Sequence, residues 1–281
     1  TNFFIDKFFQ SFLFDFANVL SKYSRTTNIS GYVPLKRFVG EEFIEKHFFY
    51  NIIRDCFSTY KLYDGNELKY ILQEGEPDFY MRKGNKIFIF EFKDILLDSK
   101  TKHSGDYDTI EKELKEQFVL STIDKHSGKI KKHPQRKGAT QLLYTIENKL
   151  PKILSEIDRT ESISGYTIYP IIVYTDRNLS IEGVNYIIAN AFNEHKGNYK
   201  IAEEYRLKPL TMISLEEITL LEDYFVREQL ILEDLLETYF QFDDKMPFSK
   251  LMVRCAMKQG YQHEMPHRFQ CLLDNMKELD S

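Results

Sequence analysis

Residues 76–97 read EPDFYMRKGNKIFIFEFKDILL, and the way this stretch turns decides the fold. From Ile87 to Lys93 the sequence alternates strongly, so a β-strand here puts Ile87, Ile89, Glu91 and Lys93 on one face and Phe88, Phe90 and Phe92 on the other. Lys83, Gly84, Asn85 and Lys86 have the chemistry of a short hairpin loop. That loop folds the segment beginning at Asp78, directly after Pro77, back alongside Glu91. Two carboxylates and an amine are therefore expected to converge at the end of an apolar strand. A hard divalent cation, which prefers oxygen ligands, is the chemical reason for such a grouping.

ProAsp followed, after a hairpin, by GluPheLys resembles the signature of the PD-(D/E)xK nuclease superfamily, with Pro77, Asp78, Glu91 and Lys93 in the four motif positions. The surroundings agree with it: a polar first strand, a tight turn, and an apolar second strand that ends in the motif. The resemblance implies an α/β, restriction-endonuclease-like fold, with a mixed central sheet flanked by helices. It also implies metal-dependent hydrolysis of phosphodiester bonds in nucleic acid, DNA favoured over RNA. Asp78, Glu91 and the backbone carbonyl of Phe92 would then hold Mg²⁺ or Mn²⁺, with Lys93 as the catalytic amine. Superfamily members often place a glutamate on the helix before the hairpin, and Glu45 fits that position best because Phe48, Phe49 and Ile52 follow it at inward-facing offsets. Alternatively, Glu41, Glu42 and Glu45 are solvated acids favoured by the helix dipole, and the hairpin is a surface ladder of ordinary Glu and Lys. In a different functional class, the fold binds nucleic acid or scaffolds an assembly without hydrolysis. Restriction or antiphage defence is a setting in which members of the family commonly work.

The formal net charge of −5 carries no global basic signature, so any nucleic-acid contact must come from a local patch and from bound metal that offsets carboxylates. The three cysteines, Cys56, Cys255 and Cys271, form no CxxC pair and are odd in number, which suits a reducing cytoplasm. The apolar N-terminal stretch TNFFIDKFFQSFLFDFANVL is broken by Asp6, Lys7 and Asp15. It is expected to be an amphipathic helix packing on the body or on a partner, including another copy or a larger complex, and not a membrane span or signal peptide. The chain begins with Thr, as a portion of a longer polypeptide would.

A loop-like stretch near residue 30 separates an N-terminal helical segment (1–30) from a nuclease-like core (31–214), with a helical region (215–281) after it. Within the core a helix is expected over about 35–60 and a first strand over 70–73. The charged segment 99–121 is expected to contain a helix that caps the core without joining it. Residues 125–138, KHSGKIKKHPQRKG, are the densest basic stretch. Lys129, Lys131, Lys132, Arg136 and Lys137 on a mobile loop there suit phosphate contacts, or else a solubilising surface. The helix that follows has a core stripe of Ala139, Leu142, Leu143, Ile146 and Leu150, with Gln141 and Tyr144 on its flank. Nucleases resembling the RecB nuclease domain carry GlnxxxTyr on this helix, which implies a catalytic positioning role for Gln141. Here Thr145 holds the expected Tyr position and Tyr144 falls one residue early, so a nucleic-acid contact for Tyr144 rests on its neighbouring place on the helix.

Residues 166–176 are a nearly continuous apolar run expected to form a central strand, weakened only by Pro170. A helix over about 180–195, a strand over 210–213 and a Ser214/Glu217 capping box follow. Near the end, Cys255, His263, His267 and Cys271 have zinc-ligand chemistry, but Pro266 interrupts their spacing and a packed helical tail accounts for them as well.

Overall fold

The computed structural model describes residues 38–124, 127–159, 165–242, 245–261, 266–268, 270, 271 and 274. The chain divides into two units, Thr1–Asn51 and Ile52–Ser281. The helix expected over 1–30 lies outside the described residues. Residues Phe38–Phe49 are π-helical and run on into α1 (Tyr50–Cys56), so of the helix expected over 35–60 the described part is helical from Phe38 to Cys56 and ends in a turn.

In the second unit β1 (Lys61–Asp64) leads directly into α2 (Gly65–Leu72). The strand expected over 70–73 is therefore not there; those residues end a helix, and the first strand lies about a helix-length earlier. The cause is a capping box. Asp64 Oδ1 accepts from the Glu67 N–H at 3.1 Å, and Glu67 Oε2 accepts from the Asp64 N–H at 2.9 Å. Leu68 and Leu72 then fall on one buried helical stripe while Tyr70 stands 90% exposed.

The hairpin forms as its alternation requires. β2 (Phe79–Lys83) pairs antiparallel with β3 (Lys86–Lys93), Phe79 opposite Phe90 and Lys83 opposite Lys86. The two-residue turn has Gly84 at φ +61°, a conformation open to glycine. After β3 come α3 (Ser99–His103) and α4 (Tyr107–Phe118), then a separate two-stranded sheet, β4 (Leu120–Ile123) and β5 (Ile130–Arg136). Next are α5 (Gly138–Asn148), a short α6 (Leu150–Lys152), β6 (Thr167–Tyr174), α7 (Val184–Lys196), β7 (Arg206–Leu207) and β8 (Thr211–Ser214). Further helices follow: α8 (Leu215–Leu220), α9 (Glu222–Val226), α10 (Leu232–Tyr239) and α11 (Phe248–Lys258).

The central sheet is mixed. Its order is β1, β2, β3, β6, with β7 and β8 pairing successive stretches of β6 on its far side. β1, β2 and β3 alternate in direction, whereas β3, β6, β7 and β8 are parallel. Pro170 sits inside β6 at no expense to the ladder. β7 pairs Thr167 and Ile168, β8 pairs Ile171 onward, and Pro170 falls in the gap where neither partner needs its missing N–H.

The sheet's first face, carrying Tyr80, Ile87, Ile89, Ile168 and Ile172, packs in one buried cluster with residues of α2, α4, α5 and α7. Leu114 and Phe118 of α4 are fully buried there. The charged segment is thus part of the core and not a detachable cap: Ile110, Leu114 and Phe118 form a narrow stripe at four-residue spacing, easily lost among its charges. The second face is aromatic. Phe88 stacks on Tyr169 at 4.7 Å between centroids, and Phe79 meets Phe90 edge-on. Tyr169 donates its hydroxyl to Glu237 on α10 at 2.7 Å, which brings the C-terminal helices over this face. No described helix is long and apolar enough to cross a membrane.

Candidate functional site

Continuing the β2/β3 register by one step puts Asp78 opposite Glu91, at the rim where β3 and β6 both end. Asp78 is fixed by backbone on two sides. Its carboxylate Oδ2 accepts from the Phe92 N–H at 2.6 Å, and its carbonyl accepts from the Gly65 N–H at 2.8 Å. The N–H and C=O of one strand residue point toward the same neighbouring strand, so the Phe92 carbonyl faces the Asp78 side as well.

Glu91 lies on the helix-covered face and is 3% exposed. Lys93, two residues on and on the same face, donates from Nζ to Glu91 Oε1 at 2.6 Å. The predicted trio is thus brought together at one rim. The next residues hold the rim closed. Thr175 donates to Asp94 Oδ1 at 2.7 Å. The buried Asp176 accepts from the Leu97 N–H, from Lys102 Nζ at 3.1 Å and from the Asn178 N–H at 3.0 Å. Asp176, missed from the sequence, joins Thr175 in tying the segment after β3 to the end of β6.

The donor set suits a hard cation: two carboxylates and a main-chain carbonyl, with no sulfur or imidazole among them. Among the described residues no group of three or more His, Cys, Asp or Glu side chains is arranged to hold a metal. One or two carboxylates with water filling the remaining positions is the usual arrangement for Mg²⁺, so the residues present fit that ion. Glu45 belongs to the first unit, where its Oε1 accepts from the Tyr50 hydroxyl at 3.2 Å.

α5 covers β3, the strand that carries Glu91 and Lys93. Its N-terminus fits against β6 at Gly138, where an added Cβ would lie 2.8 Å from Ile172 Cδ1 and 3.0 Å from the Phe118 carbonyl. Gln141 Oε1 is buried with no hydrogen-bond partner, an unusual state for a polar atom. Tyr144 reaches the loop before Asp78. Gly75, at φ +74°, passes so close that a Cβ there would be 3.3 Å from Tyr144 Cε1 and 3.3 Å from Lys149 Cε. The guanidinium of Arg136 lies 4.3 Å over the Tyr144 ring, with Lys149 Nζ at 6.0 Å. Lys149 was not foreseen, since nothing local links it to a loop more than seventy residues earlier.

Most of the described part of the basic stretch is not a loop. Residues 130–136 are β5, with Arg136 opposite Leu120 and Ile130 opposite Ile123. The ladder shifts register between the Ser121–Gln135 and Ile123–Ile130 pairs, so strict alternation does not sort its cations into faces. Lys131 Nζ is engaged, bonding Ser121 Oγ at 2.8 Å and Gln135 Oε1 at 3.0 Å. Lys129 precedes the strand, and Lys137 caps α5 by position. Between β5 and the C-terminal end of α7 lies a groove of about 520 Å³, lined by Pro134, Gln135, Arg136, His195, Asn198 and Tyr199. None of Asp78, Glu91 or Lys93 lines it; Arg136 is its link toward them.

Of the zinc-type residues, His263 lies outside the described set. Cys271 Sγ is 3.6 Å from His267 Nε2, and all three cysteines are free thiols.

Comparison of the chain with protein-family models, with curated proteins and with solved structures finds no match.

Proposed function

We propose that this chain is a metal-dependent nuclease of the PD-(D/E)xK type, built on a restriction-endonuclease-like sheet and acting on nucleic acid, DNA in the first instance. The observation that carries this is the convergence of Asp78, Glu91 and Lys93 at one rim of a mixed sheet, with Asp78 held by the Phe92 N–H at 2.6 Å. An antiparallel β1–β2–β3 leading into parallel β6 and β8 supports the same fold.

Asp78, Glu91 and the Phe92 carbonyl would hold the cation, Mg²⁺ or Mn²⁺. When bound, it supplies a water of lowered pKa and stabilises negative charge on the phosphate. Lys93 places an ammonium at the same rim, where it orients the attacking water and offsets charge that develops on phosphate oxygens. Gln141, with an acceptor oxygen that has no partner, is suited to position Lys93 or that water. Arg136 and Tyr144 present a cation and a ring next to the loop leading to Asp78, and Lys129, Lys132 and Lys137 extend the basic surface beyond them.

The test is incubation with linear, circular and single-stranded DNA and with RNA, in Mg²⁺, Mn²⁺ or EDTA. Divalent-dependent cleavage lost in both Glu91→Ala and Lys93→Ala is expected. Equal cleavage by wild type and both variants removes the assignment. The pairing of Glu91 with Lys93, in a chain whose described residues include no group of three or more His, Cys, Asp or Glu placed to hold a metal, is the observation that favours a binding module lacking hydrolysis. Calorimetry showing no Mg²⁺ or Mn²⁺ uptake sensitive to Asp78→Ala would select it.

A further inference from the structure

We infer that the groove between β5 and the end of α7 is a subsite for one unpaired nucleotide of the strand whose phosphodiester lies at Asp78 and Glu91. This rests on the nuclease reading above and adds the substrate class: single-stranded ends or flanks instead of continuous duplex.

Three features of the groove point this way. Its volume, about 520 Å³, falls in the range of pockets that enclose one small-molecule-sized ligand. Its lining has the mixture that a nucleotide uses. Arg136 offers a guanidinium to a phosphate, the amides of Gln135 and Asn198 offer donors and acceptors to a base edge, and the rings of His195 and Tyr199 offer flat surfaces to a base face. Two of these groups are already oriented. The Tyr199 hydroxyl reaches the Thr140 carbonyl at 3.4 Å, and Lys131 holds Gln135 Oε1 at 3.0 Å, leaving the amide NH₂ as the group Gln135 offers.

The groove also lies on a continuous path to the trio. Arg136 lines it and covers the Tyr144 ring at 4.3 Å. Tyr144 in turn contacts Gly75, three residues before Asp78 and so within about 11 Å of it along the chain. A strand entering the rim can therefore keep a phosphate on Arg136 while its next base turns into the groove. A paired base cannot do this, because its Watson–Crick edge is already bonded and its faces are stacked on neighbouring bases.

The experiment measures fluorescence anisotropy of a short labelled single strand, made as DNA and as RNA, and of the blunt duplex of the same sequence, all in EDTA so that nothing is cut. Wild type is expected to bind the single strand more tightly than the duplex, and whichever sugar binds more tightly names the nucleic acid served. The double variant His195→Ala/Asn198→Ala should lose about tenfold in single-strand affinity, within the range of one lost base stack, with duplex affinity changed less than about twofold. A second variant, Asn198→Asp, alters an exposed turn residue without removing bulk and sets a carboxylate against the strand; it should weaken single-strand binding at unchanged melting temperature. Duplex binding as tight as single-strand binding, or wild-type affinity in both variants, overturns the subsite. Glu91→Ala separates the two inferences. Mg²⁺-dependent cleavage at the wild-type rate by Glu91→Ala would overturn the nuclease reading, while the EDTA binding data judge the groove independently.

Discussion

Glu91 is 3% exposed, and Lys93 holds one of its oxygens at 2.6 Å. Removing one member of a buried ion pair strands the other, a loss of about 3–5 kcal/mol where burial is complete. The two deletions are not equivalent. Lys93, with 15% side-chain exposure, can reach water if Glu91 is removed, whereas Glu91 cannot if Lys93 is removed. Lys93→Ala is therefore expected to melt lower than Glu91→Ala in EDTA. On the metal reading, Mg²⁺ then replaces the missing cation, and binding to the folded state alone raises its stability. Thermal melts should show Mg²⁺ raising Lys93→Ala and leaving Glu91→Ala unmoved; an equal rise in both would mean that Glu91 is not a ligand. The trio is legible in the sequence because strand periodicity and hairpin chemistry are local. Lys149 and Asp176 are not, since each matters through a contact across the fold, with the Gly75 loop in one case and with Leu97 and Lys102 in the other.

The two elements misread from the sequence have different causes, a helix-start signal upstream in one case and a partner strand in the other. Residues 70–73 carry strand-like Tyr, Ile and Leu, yet the Asp64/Glu67 capping box starts a helix that extends to Leu72, with Gln73 as its C-cap. β5 has Pro134 and scarcely any apolar alternation, so nothing local announces a strand; its pairing with β4, on the path from α4 to α5, makes it one. A two-stranded ribbon is marginal alone. Lys132 and Arg136 are both exposed on that ribbon, so neutralising both tests it as a surface. On the nuclease reading, Lys132→Gln/Arg136→Gln should make the dependence of log affinity on log salt shallower by about 1.4–1.8, two phosphate contacts' worth; an unchanged slope removes β5 from the interface. The opposite end of the sheet is closed by Asp158, whose side chain is fully buried and bonds Tyr80 at 2.9 Å, Arg82 Nη2 at 2.9 Å and Lys61 at 2.8 Å. Burial alone would raise its pKa, but hydrogen bonds from Arg82, Lys61 and Tyr80 outweigh burial and hold the carboxyl below the usual range. A depressed folded-state pKa contributes stability that is present above the unfolded value, near 4, and is lost as pH falls through the folded value. Asp158→Asn should thus cost about 2–3 kcal/mol at neutral pH. In melts the gap to wild type should hold down to about pH 4 and close only as pH falls further, through the folded value, and a gap that stays constant well below that pH would contradict the clamp.

At the scale of the whole molecule the mixed sheet is legible in outline, because hairpin, turn and apolar runs each specify themselves. The joining of β3 to β6 across more than seventy residues, and the end-to-end placement of β7 and β8 that accommodates Pro170, are set by packing and leave no local mark. Charge is also a whole-molecule property, and here it opposes the proposed substrate. A chain of formal net charge −5 that gathers Asp78 and Glu91 at one rim repels a phosphodiester approaching that rim, since Lys93 there offsets only one of the two carboxylates. A divalent ion between the carboxylates reverses the local sign, so strand affinity should depend on the metal even where no cutting occurs. Lys93→Ala, expected to be inactive, allows that to be measured on intact DNA. Mg²⁺ should tighten its binding of a single strand by about tenfold or more, the effect of roughly 1.4 kcal/mol of added attraction, and the gain should vanish in Asp78→Ala/Lys93→Ala. A gain of the same size in the double variant would place the ion on the phosphates in place of the rim, and the carboxylate pair would lose its assigned role.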